Sequence, residues 1–364
     1  MKILLLIDSL GSGGAQRQIL ALAKMLRMRH HDVSLIIYYE YFSFKKEVDK
    51  FSIPVFLIRE KFIFKRIYKI RKFIRRGNYD VVISFLETPN FINCISAVGG
   101  KTWKVITSER SSNEKSFRTL KGKMFKWFLR YSDTIVCNSF KAKDMWEKYM
   151  IEYSEKLYVI YNFVILPTIT SKYIPKKNGK LNITIAANYK YNKNPIGLIN
   201  AVSMMTKEER SKIVINWYGT TDIGEETISV YNESVTLIKT QKLEDIIHLN
   251  NSSKDIANIM NEADVVALFS KLEGLPNAIC EGMMLGKPII MTRVSDYKAL
   301  VDNSNGFLCE WDNNYSIKDA LIKASIIKKD DLLIMGYNSK LKANYLFSQE
   351  TIMNDWAHII ELNK

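Results

Sequence analysis

Leu272–Pro288, LEGLPNAICEGMMLGKP, reads as a loop that turns into a short buried helix and stops. Pro276 suits the first helical position, where a missing N–H removes no intrahelical bond. Ile279, Cys280, Met283 and Met284 recur at helical spacing. Gly286 and Pro288 then close the element. Two carboxylates frame it, Glu273 in the loop and Glu281 one turn inside the helix, four residues after Asn277. The Gly274-Leu275 loop brings bare backbone N–H groups to the positive end of a helix dipole, which suits an anion. A carboxylate nearby can accept two hydrogen bonds from a vicinal diol, and phosphate plus diol describes a nucleotide sugar. A half-exposed helix that happens to carry two glutamates fits the same residues, so the pattern alone leaves both readings open.

The Glu-x7-Glu pair, with Gly-Leu-Pro-Asn after the first Glu and a Gly two residues before the closing Pro, resembles the signature of the retaining glycosyltransferases of family 4. That resemblance implies an α/β fold of GT-B architecture: two Rossmann-like domains with parallel sheets facing a central cleft, and a C-terminal helix returning to the first domain. The expected boundaries are 1–168, joined by 346–364, for an acceptor domain. A nucleotide-sugar-binding domain is expected over 178–345.

Composition sets independent bounds. A chain of 364 residues suits two domains of roughly 170 residues each. With 47% hydrophobic and 25% charged residues it has ample core. No apolar run approaches the ~18 residues of a membrane span. The opening Met1–Asp8 turns acidic too early for a signal peptide and reads as a buried strand. Cys94, Cys137, Cys280 and Cys309 are scattered and form no CxxC pair, so a reducing cytoplasm is expected. The four histidines lack partners at ligand spacing, so no metal site is expected. Net charge is +15, and residues 1–170 hold all of it, with 30 Lys+Arg against 15 Asp+Glu. A surplus confined to one half argues for a polyanionic surface facing that half.

Taken in order, Ile3–Ile7 reads as a strand. The glycine-rich turn Asp8–Gly14 follows it, and then a helical stretch from Ala15 to Arg29. Gln16 occupies the third glycine position of a dinucleotide fingerprint, so that motif fails. By the family resemblance, Gly13 and Gly14 lie against donor phosphate and sugar; a tight strand–helix turn without a ligand is the alternative. Arg59–Arg76 holds nine Lys/Arg and one acid, with Phe62, Ile63, Ile67, Ile70, Phe73 and Ile74 able to share a face. It is either a docked helix with a solvated basic side or a helix lying in an anionic bilayer surface. Lys115–Arg130 repeats that chemistry, with six basic residues among Phe117, Phe125, Trp127 and Phe128. Aromatics among bases also suit single-stranded nucleic acid, but no nucleic-acid-binding motif accompanies them, and no nucleic acid partner is expected.

Ser108-Glu109-Arg110 ends a strand at Lys104–Ser108 and resembles a family segment that faces the acceptor; a surface ion pair is the other reading. Pro167–Lys180 reads as a linker. In the second half, Leu181–Ala187 reads as a strand. The family places an Arg after this strand and a Lys five residues later, both neutralising donor phosphate. Here Lys193 falls at the Lys position, while Asn188 stands where the Arg would be. Ser252–Asp255 looks like a capping box.

The resemblance implies a retaining, metal-independent transferase that uses no cofactor beyond its nucleotide-sugar substrate, with a UDP-sugar as the expected donor. Glu281 would take the ribose hydroxyls. Glu273, Gly274, Leu275, Pro276 and Asn277 would hold the donor sugar and distal phosphate, and Lys193 the departing diphosphate. The acceptor implied is a glycan, lipid-linked, in cell-surface polysaccharide synthesis at the inner face of the plasma membrane. The alternatives are an epimerase-like nucleotide-sugar enzyme or a catalytically weak nucleotide-sugar-binding protein.

Overall fold

Runs of Val, Ile and Leu too short for helices become strands buried on both faces, as parallel sheets require. In the computed structural model, which describes residues 1–11, 13–110, 114–221 and 224–362, every strand pairing is parallel. The chain divides into two compact units, Met1–Phe163 with Gln349–Lys364, and Val164–Ser348.

The first unit holds β1 (Lys2–Leu6), β2 (Asp32–Ile37), β3 (Val55–Leu57), β4 (Val81–Phe85), β5 (Lys104–Glu109), β6 (Thr134–Cys137) and β7 (Leu157–Val159), in the order β3-β2-β1-β4-β5-β6-β7. The second holds β8 (Leu181–Ala186), β9 (Ile213–Gly219), β10 (Ile247–Asn251), β11 (Val265–Leu268), β12 (Ile289–Thr292) and β13 (Gly306–Cys309), in the order β10-β9-β8-β11-β12-β13. Strand order reverses between β1 and β4 in one sheet and between β8 and β11 in the other. Ligands of doubly wound sheets bind at such points, beyond the carboxyl ends of the strands.

The first sheet takes its closing helix from the far end of the sequence. Gln349–Glu361 lays Trp356 against Phe85, with ring centroids 6.1 Å apart. Arg29 Nη2 donates to Asn354 Oδ1 at 2.7 Å, and Lys104 Nζ to the carbonyl of Leu362 at 2.6 Å. Residues of the expected linker are fastened to the second unit: the buried Asp264 accepts from the Tyr173 hydroxyl (3.0 Å) and from the backbone N–H groups of Lys176 and Asn182 (both 2.8 Å).

Several local expectations need correction. The basic helix spans Ile63–Arg76, and β3, a three-residue edge strand, precedes it. The apolar residues named for its face divide. Ile70 and Ile74 are the docking seam, whereas Phe62 and Ile63 are exposed, as are Phe64 and Tyr68. Asp255 makes no side-chain cap to its helix: its Oδ1 accepts from the side-chain Nδ2 of Asn258 (2.7 Å), and its N–H donates to Ser253 Oγ (3.0 Å) in place of Ser252. A reciprocal capping box does form at Thr206 and Glu209. Among the described residues no helix is long and apolar enough to cross a membrane.

Candidate functional site

The quoted stretch folds as a loop and the helix Asn277–Met284. Pro276 stands one position earlier than expected, at the N-cap, with φ −77° and ψ 86°, so the first helical residue is Asn277. The far end is a Schellman motif: the Lys287 N–H donates to the Gly282 carbonyl and the Gly286 N–H to the Met283 carbonyl, both at 2.9 Å. This places Gly286 at φ +71°, where glycine carries no Cβ penalty. Gly282 meets the sheet. A Cβ there would stand 2.8–3.0 Å from the three side-chain carbons of Val266 in β11.

The loop is pinned from both sides. Thr292 Oγ1, at the end of β12, donates to the Ser270 carbonyl at 2.6 Å, and Ser295 Oγ donates to the Gly274 carbonyl. The Lys271 N–H donates to the Asn192 carbonyl at 2.8 Å, tying this loop to the turn that follows β8. Across that tie Lys193 Nζ pairs with Glu273 Oε1, both side chains mostly buried. The pair therefore joins the two loops that leave β8 and β11 at the reversal of strand order. Gly274 is half-buried, Leu275 and Pro276 are buried, and Asn277 is exposed; Glu281 is half-buried one turn on.

Asn194, the residue after Lys193, takes left-handed geometry, with φ +62°. Asn tolerates that region better than most residues. Its side chain caps the helix Pro195–Ser203 by accepting from the Gly197 N–H (3.2 Å), and its Nδ2 donates to the Trp311 carbonyl (2.7 Å). Asn188 is exposed, and its Oδ1 accepts from the Thr220 N–H at 3.2 Å. It puts an amide where a guanidinium was expected. Lys190 is exposed close by in sequence.

In the first unit, Gly13 caps the helix Gly14–Met28 with φ −74°, a value open to any residue, and the space beside it is filled by the Gln16 side chain. Ser12 of that turn lies outside the described residues. Ser108 is fully buried and donates to the Val136 carbonyl (3.1 Å), so its hydroxyl belongs to the sheet. Glu109 pairs at 3.4 Å with Lys126, itself buried over the rings of Phe117 and Trp146; the surface ion pair read from sequence is thus an internal one. Arg110 stacks over Phe85 at 3.9 Å and donates from Nη1 to Asn162 Oδ1 (2.8 Å). Burial pushes its guanidinium down to about 9, with Cys137 and Glu109 acting the other way, which leaves it charged at neutral pH. Among the described residues no three His, Cys, Asp or Glu side chains gather as a metal cluster would require.

Sequence reasoning did not single out Gly282, Thr292 or Ser295, which hold the Glu273 loop and its helix in place. The small residue at 282 inside an apolar helix was a signal for close packing against a neighbour.

Comparison with known proteins bears on the family and the fold. Residues 12–166 match the family model described as Glycosyltransferase Family 4, and residues 180–325 match that of Glycosyl transferases group 1. A Campylobacter jejuni enzyme is 27% identical over 336 residues, 88% of each chain, and is named as an alpha-1,4-N-acetyl-D-galactosaminyltransferase acting on a GalNAc-containing diphospho-undecaprenol glycan. An Escherichia coli enzyme, 25% identical over 76% of this chain and 74% of its own, is named UDP-Gal:alpha-D-GlcNAc-diphosphoundecaprenol alpha-1,3-galactosyltransferase. Among solved structures, Anabaena HepE in complex with UDP and glucose superposes with a TM-score of 0.82 over 99% of both chains at 19% identity, which speaks for the fold.

Proposed function

The chain belongs to the GT-B glycosyltransferases of the bacterial polysaccharide type, and from that premise we propose that it moves a sugar, with retention at the anomeric carbon, from a UDP-sugar to a lipid-linked glycan. The observation that carries the donor half of this reading is the Lys193–Glu273 pair, which joins the β8 and β11 loops ahead of a helix N-terminus.

In this reading Glu281 accepts from the ribose hydroxyls. Glu273 and Asn277 hold the donor sugar, and the N–H groups from Gly274 onward face the distal phosphate. Pro276 contributes shape alone, since it has no N–H. As the glycosidic bond to phosphate breaks, negative charge gathers on the diphosphate, where Lys193 and the helix dipole stabilise it in place of a divalent metal. The acceptor hydroxyl attacks from the face the diphosphate leaves. A donor phosphate oxygen takes its proton, so no protein nucleophile is required.

The relatives whose names carry diphospho-undecaprenol support the lipid-linked acceptor, and the one that names a UDP donor supports UDP. Charge supports a bilayer partner. The helices Ile63–Arg76 and Leu120–Phe128 both pack on Glu87–Ala97, and they expose Phe64 (83%) and Leu120 (89%) with Tyr68, Met124 and Trp127 among lysines. An apolar edge among bases is what a peripheral protein presents to anionic headgroups, and this supports a position at the inner face of the membrane. The amide at Asn188 favours a second reading, a protein that binds nucleotide sugars and transfers slowly.

A thermal-shift panel of UDP- and GDP-sugars tests the donor. Saturation at 100 times Kd should add ~2.7 kcal/mol of stability. Stabilisation by UDP-sugars, followed by transfer to a diphospho-polyprenol glycan in the presence of chelator, is expected. No shift with any nucleotide sugar would refute the reading. Binding without turnover would select the second.

A further inference from the structure

The helix Lys329–Phe347 is apolar on two opposite sides. Leu332, Met335, Ser339, Ala343 and Phe347 are buried and seat it in the second unit, where it packs on the helix Asn277–Met284. On the far side Leu333, Ile334, Tyr337, Leu341 and Tyr345 stand between 49% and 80% exposed. At 3.6 residues per turn the last four fall within roughly 80° of one another, and Leu333 borders them. A solvated helix face is ordinarily charged or polar. The other long helix of this unit, Gly224–Thr240, keeps that rule: Glu225, Glu226, Asn232, Glu233 and Thr236 face water while Val230 and Ile238 are buried.

The row Leu333, Tyr337, Leu341, Tyr345 advances by four residues at each step. Rows of that spacing are the ridges by which helices pack on one another. Reversed end to end about the level of Ser339, the row falls on itself: Leu333 takes the place of Tyr345, and Tyr337 that of Leu341. An isologous interface asks for this, because a two-fold axis sets residue i against j and j against i. Two copies running antiparallel would place a tyrosine ring against a leucine at each step, with Ile334 widening the strip.

Charge and area both favour a second copy. The charges beside the strip are mixed, Asp330 and Asp331 in the first turn, Lys340 and Lys342 later, with Lys342 paired to Asp302. An anionic bilayer calls for a surplus of bases, and the surplus of +15 lies in residues 1–170, so two second units meet without net repulsion. Five half-exposed side chains of this size leave on the order of 500 Å² in water, the upper range for a monomer's largest apolar patch. Two such strips joined bury on the order of 1,000 Å², which is where specific association begins. We infer that the Lys329–Phe347 helix is the interface of a homodimer, two copies pairing antiparallel through Leu333, Tyr337, Leu341 and Tyr345. None of these residues belongs to the donor site argued above, so this inference stands or falls apart from that reading.

Sedimentation velocity of the full chain in high salt and without lipid, from about 1 to about 100 µM, tests it; wild type should pass from monomer to dimer across that range, since an interface at the lower limit of size associates weakly. Tyr337→Glu and Leu341→Lys should each raise the dimer dissociation constant at least ~10-fold, with circular dichroism and melting temperature of the monomer unchanged. Mixed in equal amounts, the two variants should associate again. Antiparallel pairing sets the new carboxylate of one against the new ammonium of the other and leaves the second Tyr337–Leu341 contact intact. Wild type monomeric throughout would overturn the proposal, as would dimers that survive both substitutions, or variants that dissociate and fail to rescue each other. A monomeric wild type that binds anionic vesicles, and loses them in Tyr337→Glu, would give the strip to a bilayer instead and refute the dimer.

Discussion

Gly282→Ala is the substitution whose sign decides whether the close seating of the Asn277–Met284 helix matters. Its new Cβ would stand 2.8, 2.9 and 3.0 Å from Cβ, Cγ1 and Cγ2 of Val266. Carbon atoms rest at about 3.5–4.0 Å, so the helix would have to back away by roughly 0.5–1 Å. Val266 cannot swing aside, because all three of its side-chain carbons make the contact and its χ1 is stiff. Overpacking of this kind costs ~1–3 kcal/mol. Helix propensity acts the other way and favours Ala over Gly by about 1 kcal/mol. The clash should win by ~1–2 kcal/mol, which lowers the melting temperature by a few degrees in a unit of this size. Glu281 is the residue before Gly282, so the same retreat should weaken UDP-sugar binding at least ~10-fold, about 1.4 kcal/mol. Urea denaturation and calorimetric UDP titration would measure the two effects. A variant as stable as wild type or more so, with UDP affinity intact, would show that propensity outweighs contact and that the helix is not seated as argued.

Lys193→Ala and Glu281→Ala should each lower kcat/KM at least ~10²-fold, about 2.7 kcal/mol, with folding retained; full activity in a transfer assay would remove those residues from the site. Lys287 is buried over the Tyr173 ring, and loss of water pushes its ammonium down to about 7 against the pull of Asp264. An unfolded lysine titrates near ~10.4, so between ~7 and ~10 the unfolded chain holds a proton that the folded chain has released. This group's contribution to stability therefore rises with pH through that window, and its penalty is full below ~7. Relative to Lys287→Met, wild type should gain on the order of 2 kcal/mol from pH 7 to pH 9 in urea unfolding; a constant difference would refute the assignment. Wild type should also bind vesicles containing anionic lipid and leave them in high salt. Replacing Phe62, Phe64 and Trp127 with Ser should loosen it at low salt, and unaltered sedimentation would count against a membrane role for that face.

The doubled strand–helix rhythm was legible because buried parallel strands write themselves as unbroken apolar runs, as Ile3–Ile7 does. The donor loop was legible because its helix start and stop residues lie within one short stretch. Features set by edges and tertiary contact were not. β3 is three residues on an exposed edge, with no hydrophobic alternation to announce it. Ser108 looked available in sequence, yet the register turns its hydroxyl into the sheet.

The return of Gln349–Glu361 to the first unit has a consequence for biosynthesis. Translation runs from the amino end, so all of Val164–Ser348 is synthesised before Trp356 is added. The half begun first is therefore finished last, and until then Phe85 lacks its cover. A released chain truncated after Ser348 would carry the whole sequence of the second unit and an open first one, a species that should attract chaperones and proteases to the amino-terminal half.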